Sequence, residues 1–438
     1  MRLSIPAIVS NITVPLLGLC DTAISGHLGS ELFLAAIAVG TTMLNVIFWL
    51  FGFLRMGTTG LTATAFGADD DSEISKVFIR SLLLGLLIGL VLVLLRQPLL
   101  SLMLRLIGAE PEVEHLVRRY FRICIWEAPS LLATMALSGW FVGMQSTFWP
   151  MVVAISVNVI NIAASLLLVF GLGMGFDGVA VGTVSANWAG FVIALIAALR
   201  FMRGRTLFPP LRDIISGAGI GRFFSVNSNL FFRSFCIISV TLGVTAAGAR
   251  LGAQTLAVNA VVMQFFTLFS FFMDGFSFSA EALTGKAYGA REAGMLSRYV
   301  KALLLWAAGV AAVFSCLYAT GCGALTDILT DEEGVRTGVR EMKTWIWLIP
   351  AVSVWAFIYD GFYIGITDTG KMLIATLSAS VIFFCVAFSG DFVDGGFFGP
   401  LSNHMLWTAF ISYLAMRGLI LAFLWPREMR RRLAVRSQ

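Results

Sequence analysis

Charge is scarce in this sequence. Only 13% of its 438 residues are Asp, Glu, Lys or Arg, about half of what a soluble domain carries. With 58% hydrophobic residues and apolar runs along its whole length, the chain reads as a polytopic membrane protein. Histidine is nearly missing: His27, His115 and His404 stand far apart, so no metal site is expected. Six cysteines (Cys20, Cys124, Cys236, Cys316, Cys322 and Cys385) form no CxxC pair, and most lie in apolar segments as small buried thiols. Alternating patterns are weak, which argues against a β-barrel. No short apolar core with a small-residue cleavage site opens the chain, so its first segment is expected to stay as a spanning helix. The net charge of +5 suits a cytoplasmic membrane face and does not point to nucleic acid. No cofactor is implied.

A spanning helix needs about 20 apolar residues. Twelve segments qualify: 5–27, 32–58, 77–97, 120–144, 150–171, 178–200, 220–248, 255–280, 297–323, 341–366, 370–390 and 404–425. The fold expected is therefore all-α, with twelve transmembrane helices. Assigning the 30 Lys and Arg residues to alternate sides places 18 on one side and nine on the other, with Arg55, Arg233 and Arg417 left at or near membrane depth. Basic residues concentrate on the cytoplasmic side, so both termini are expected in the cytoplasm.

The two halves of the chain resemble each other. "HLGSELFLAAIAV" (27–39) matches "RLGAQTLAVNAVV" (250–262), and "GFLRMGTTGLTATAFGAD" (52–69) matches "GFSFSAEALTGKAYGAR" (275–291). The offset is about 223 residues, half the chain. Six helices separate the copies, an even number, so the repeats are parallel. The basic, proline-bearing loop "RFMRGRTLFPPLRD" (200–213) divides them, giving an N-lobe at 1–205 and a C-lobe at 206–438. Two like six-helix bundles facing each other across a central cleft is a transporter plan.

Polar residues at membrane depth are costly, and they mark function by default. Asp21 lies in "LLGLCDTAISGHLG" (16–29) with no basic residue for several turns on either side. Ser10, Val14, Gly18, Asp21 and Ser25 share one small, polar seam. Pro15, six residues earlier, removes a helical N–H and allows a bend, so Asp21 reads as a protonation switch; the bland alternative is a structural acid capping a neighbouring helix. In the fifth span Asn158, Asn161 and Ser165 share a face, and in the sixth Thr183 and Asn187 do. These neutral groups surround a carboxylate or substrate, or serve as interhelical glue. In the second half Arg233 lies mid-way through "LFFRSF" and demands a counter-charge. Asp274 and Glu281 share a face of the next helix, reached through a short loop, so Asp274 is the first expected partner and Asp360 the second. Glu281 is near the cytoplasmic end and open to solvation. Asp360, flanked by Tyr359 and Tyr363, is the candidate for lining a cavity. The pairs Gly85/Gly89 and Gly361/Gly365 permit close helix contacts. The 37 Phe and 17 Met residues read as lipid-facing or core side chains, with a promiscuous pocket the alternative.

"IPAIVSNITVPLLGLCDTAISGHLG", "FLRMGTTGLTATAFGA", "LAVNAVVMQFFTLFSFFMDGFSFSAEALTGKAYGAR" and "GFYIGITDTGKM" resemble the multidrug and toxic compound extrusion (MATE) family, in the branch named after the DNA-damage-inducible protein F. The resemblance runs through nearly the whole chain. It implies two six-helix lobes around a cleft, and antiport of an organic, often cationic compound against protons or, less favoured here, sodium. Asp21 matches the family's first-helix coupling acid and Asn161 the Asn of an N-x-x-x-D pattern. Ser165 stands where that pattern has Asp, which removes one N-lobe carboxylate. Asp360 resembles the tenth-helix acid, and Arg233 replaces an acid found in another branch. The implied partners are small organic substrates, protons and membrane lipids, for a monomer in a bacterial inner membrane that is not an enzyme. Two other readings compete with this one. A flippase for lipid-linked precursors wants a strongly basic cavity, whereas intramembrane acids and arginines are about balanced. An acyltransferase-like enzyme wants a His/Asp or Ser/His pair that the three histidines do not form.

Overall fold

The computed structural model describes residues 3–26, 30–107, 111–203, 210–215, 218–388 and 402–434. Side chains at 14–23, which include Pro15 and Asp21, and at 25, 211, 215, 218 and 427–434 lie outside the described ones. The described residues are helical throughout apart from turns, and no strand occurs among them. They divide into two compact units, Met1–Asn227 and Ser228–Gln438.

The first unit holds α1 (Ser4–Gly26), α2 (Glu31–Leu50), α3 (Phe53–Gly67), α4 (Asp71–Leu94), α5 (Arg96–Ile107), α6 (Pro111–Cys124), α7 (Ala128–Gly143), α8 (Phe148–Leu166), α9 (Phe176–Phe201) and the short α10 (Leu211–Ile215). The long α11 (Ala218–Arg250) leads into the second unit, which continues with α12 (Ala253–Gly289), α13 (Ala293–Leu329), α14 (Glu333–Glu341), α15 (Lys343–Gly365), α16 (Thr369–Ala387) and α17 (Asn403–Ala434). Ten of the described helical stretches are long and apolar enough to cross a membrane, which makes this a multi-pass membrane protein. With α1 and the pair α6/α7 they account for the twelve expected segments.

The fourth expected span is where local chemistry changed the element. Residues 120–144 do not form one rod: α6 ends at Cys124, a 3₁₀ turn covers Ile125–Glu127, and α7 begins at Ala128. Pro129 has no N–H for the preceding turn. The Ser130 hydroxyl instead donates to the Glu127 carbonyl at 2.8 Å. Similarly, the second expected span breaks at Phe51–Gly52 and continues as α3 to Gly67. Helices α5 and α14 lie largely between expected spans, and α6 begins before the fourth one. The charged, amphipathic α6 and α14 dock one apolar edge, on α2 and α12 respectively.

Each unit is organised around one helix. α7 packs against α3, α4 and α9, and α15 against α12, α13 and α17. Glycine makes the closest approach possible in both. A Cβ on Gly139 would strike the Arg55 carbonyl and one on Gly143 would strike Thr59 and Thr62. A Cβ on Gly361 would strike Ser277 and Ala280, and one on Gly365 would strike Glu281 and Thr284. Five positions of the second contact lie 222 residues after their counterparts (139 and 361, 143 and 365, 55 and 277, 59 and 281, 62 and 284), and Ala280 is the one added neighbour. The internal repeat is thus expressed as one helix contact built twice. Gly85 and Gly89, the other glycine pair, let α4 lie against Leu132 and Pro129 of α7.

Arg80 ties α10 to the first unit. Its Nε and Nη2 donate to the Ile214 and Asp213 carbonyls, both at 2.9 Å, and Glu73 lies 3.6 Å from its Nη1.

Candidate functional site

In the first unit the polar residues of α8 and α9 form a connected chain. Asn161 Nδ2 donates to Thr183 Oγ1 at 3.0 Å, and Thr183 Oγ1 donates to the Val179 carbonyl at 3.1 Å. One turn further along α9, Asn187 Nδ2 lies 3.1 Å from the Thr183 carbonyl and donates to Glu127 Oε2 at 2.7 Å. Asn158 points elsewhere, donating to the Thr13 carbonyl of α1 at 2.8 Å. It joins α8 to the helix that carries Asp21. Asn161 and Ser165 are fully buried, and among the described residues Asn161 Oδ1 and Ser165 Oγ have no hydrogen-bond partner. A buried polar atom left unmatched costs about 1–3 kcal/mol. Ser165 is crowded by Gly182 of α9, where any side chain would collide with its hydroxyl.

α1 runs unbroken over Pro15 and Asp21 and packs against α8 and α9. The backbone therefore brings the helix bearing Asp21 to the two helices bearing the polar chain. The Asp21 side chain itself, and the bend expected at Pro15, lie outside the described side chains.

The second unit has a different interior. Asp360 of α15 accepts hydrogen bonds at its Oδ2 from Arg233 Nη2 of α11 and Arg417 Nη2 of α17. All three are buried, at 3%, 3% and 5% exposure. Arg233 forms an ion pair with Asp360, the second of its two expected partners; the first, Asp274, lies half-buried on α12. The packing of α11 and α15 brings Arg233 to Asp360 across 127 residues of sequence. Glu281, considered open to solvation, is fully buried instead, because α12 lies flush against Gly365 of α15 at that turn. Tyr363 is buried and donates to the Leu421 carbonyl at 3.1 Å, with its ring against Trp425.

Two functional candidates escaped the sequence reading. Glu127 falls inside an expected span, close in sequence to Arg118, Arg119 and Arg122, and nothing in its spacing singles it out. The Pro129 two residues later was the available signal that the helix breaks there. Arg417 was noted at membrane depth without a partner, and only the fold supplies Asp360.

Comparison with known proteins agrees with this architecture. The MatE family model matches residues 6–167 and 230–388, one stretch in each unit. The DNA damage-inducible protein F of Escherichia coli (strain K12) is 35% identical over 429 residues, covering 98% of this chain and 92% of that protein. A probable multidrug resistance protein NorM of Shewanella oneidensis is 26% identical over 273 residues, covering 60% and 58%. Among solved structures, a MOP-superfamily transporter from Pyrococcus furiosus superposes with a TM-score of 0.84 at 19% identity, covering 100% of this chain and 96% of that one. A MATE in the straight conformation gives 0.83 at 19% identity, with the same coverage.

Proposed function

This chain belongs to the MatE family and is accordingly a multidrug and toxic compound efflux transporter, and on that premise we propose that it exports lipophilic, often cationic organic compounds in exchange for protons, with Asp21 as the coupling carboxylate. The observation that carries this reading is the packing of α1 on α8 and α9, with the buried Asn161 and Ser165 oxygens of α8 unmatched among the described residues. A carboxyl that gains and loses a proton beside unmatched polar groups has something to exchange with. A cationic substrate and a proton both neutralise one carboxylate, so they exclude each other, and that exclusion enforces exchange.

The second unit supports the same assignment by contrast. Asp360 already holds two tethered guanidinium groups, so it is poorly placed to take a free cation. Sodium prefers several oxygen ligands. Ser165 supplies a hydroxyl where a second carboxylate would sit, which favours the proton.

The deciding experiment is transport in proteoliposomes under an imposed pH or sodium gradient. Asp21→Asn mimics the protonated state permanently. It should insert and fold as the parent does and lose pH-driven efflux. Efflux that survives this change, or that requires sodium and ignores the pH gradient, sinks the mechanism.

We also propose a bacterial inner-membrane location with both termini in the cytoplasm, on the asymmetry of Lys and Arg, and residues 1–205 and 206–438 as the repeat lobes. Cysteines introduced at Pro210 and Val435 should both resist an impermeant thiol reagent added to intact cells; labelling of both reverses the topology.

A further inference from the structure

The replacement of an acid by Ser165 leaves α8 without a carboxylate, but the first unit contains another. We propose that Glu127 is a second proton-binding carboxylate of the N-terminal unit, read out by α9 through Asn187. Its meaning for transport rests on the proton-antiport reading above; its proton binding does not.

Depth is the first argument. Asn187 stands 11 residues into α9, which begins at Phe176. At 1.5 Å per residue that is about 16 Å from the helix start, roughly half of a bilayer's 30 Å hydrocarbon core. Glu127 is hydrogen-bonded to it at 2.7 Å, falls inside the expected span 120–144, and is only 6% exposed. An intramembrane acid is a functional group by default.

Local structure is the second argument. The chain interrupts a spanning helix to put Glu127 there. The 3₁₀ turn Ile125–Glu127, Pro129 and the Ser130–Glu127 hydrogen bond aim the residue at α9 instead of along the rod. A helix that served only to span would not need the break.

Connectivity is the third. Asn187 offers its amide N–H groups to Glu127 and to the Thr183 carbonyl, and Thr183 holds Asn161. Thr183 and Asn187 are one turn apart, about 6 Å. Ionised, Glu127 accepts the Asn187 N–H through a charged oxygen. Protonated, it keeps one oxygen for that bond, weaker than the charge-assisted one, and gains a donor of its own. The proton comes from water and returns to water. Either state alters the pull on Asn187, and so on the turn of α9 that grips Asn161.

Glu127 has interactions in the fold beyond those with Asn187 and Ser130. The elements packed against its turn are α4, α6, α7 and α9. α4 has no acid or base beyond Arg80, α7 has none, and α9 has none between Asp177 and Arg200. α6 contributes buried Tyr120, buried Cys124 with its thiol on the Ala180 carbonyl, and exposed Arg122. Arg96 lies over the Trp126 ring at 5.9 Å.

The test combines infrared difference spectroscopy with transport, on the full chain in liposomes. An acid jump should produce carbonyl-stretch signals from protonated carboxylic acids. One should vanish in Glu127→Gln and persist in Asp21→Asn. The pH midpoint of efflux should move by about one unit in Glu127→Gln, a tenfold change in proton affinity, and return toward the parent value in Glu127→Asp. If Glu127→Gln does not fold, Asn187→Ala leaves the acid and removes its donor, and should shift the same infrared signal. An unchanged signal in both variants, or pH profiles that superpose on the parent, overturns the proposal. Asp21→Asn that still pumps on a pH gradient would instead sink the antiport reading, while the Glu127 signal would still report its proton.

Discussion

The two units share a skeleton and differ in what they bury. In both, a glycine-faced helix lies flush against a long neighbour at the same offset of 222 residues. Inside that common frame the first unit buries the neutral polar groups Asn161, Ser165 and Thr183, with Asn187 bonded to the acid Glu127, and α1 carries Asp21. The second closes its charges on one another, with Asp360 clamped by Arg233 and Arg417. The residue 223 positions after Asp21 is Val244, buried in the core. Duplication therefore gave two scaffolds; on the proposed function, substitution made one responsive and the other locked. A carboxylate with two guanidinium partners gains nothing from a proton, whereas a carboxylate among amides and hydroxyls changes its whole environment when it takes one.

The largest effect expected from breaking this contrast is in the locked unit. Arg417→Ala strands part of a buried ion cluster and should cost about 3–5 kcal/mol, seen as a lower unfolding temperature in detergent. Adding Asp360→Asn should recover part of the loss. No change in unfolding temperature would mean that the cluster does not hold α11, α15 and α17 together.

Next in size is the shared skeleton. Gly139→Val and Gly361→Val both push a side chain into a facing backbone, and each should cost about 1–3 kcal/mol by overpacking. Near-equal losses would sharpen the view that the contact is one design used twice; a loss in only one unit would break it.

The smallest effect belongs to the responsive unit. Asn161→Ala removes a hydrogen bond between helices, worth about 0.6 kcal/mol on average in membranes, while Thr183 keeps its bond to Val179. Stability should scarcely move, yet the pH dependence of efflux should. A large stability loss with an unaltered pH profile would make Asn161 mere glue. Thus the ranking for stability runs opposite to the ranking for coupling, and that inversion is the core of the comparison.

The sequence by itself determined the helical class, the membrane environment and the repeat. Each of these follows from composition and period, which are local properties: long apolar runs must satisfy their backbone bonds within a helix, and a repeated "GLTATAFGA" and "ALTGKAYGA" announces itself. Asp21, Arg233 and Asp360 stood out because charge in lipid is costly wherever it occurs. Tertiary structure alone decided the pairings. Arg233 reaches Asp360 across 127 residues and Asn187 reaches Glu127 across 60, distances over which no periodicity operates. Glu127 has no signature in the sequence for a physical reason: its burial comes from the 3₁₀ turn before Pro129 and the seat against α9, where Asn187 donates to it.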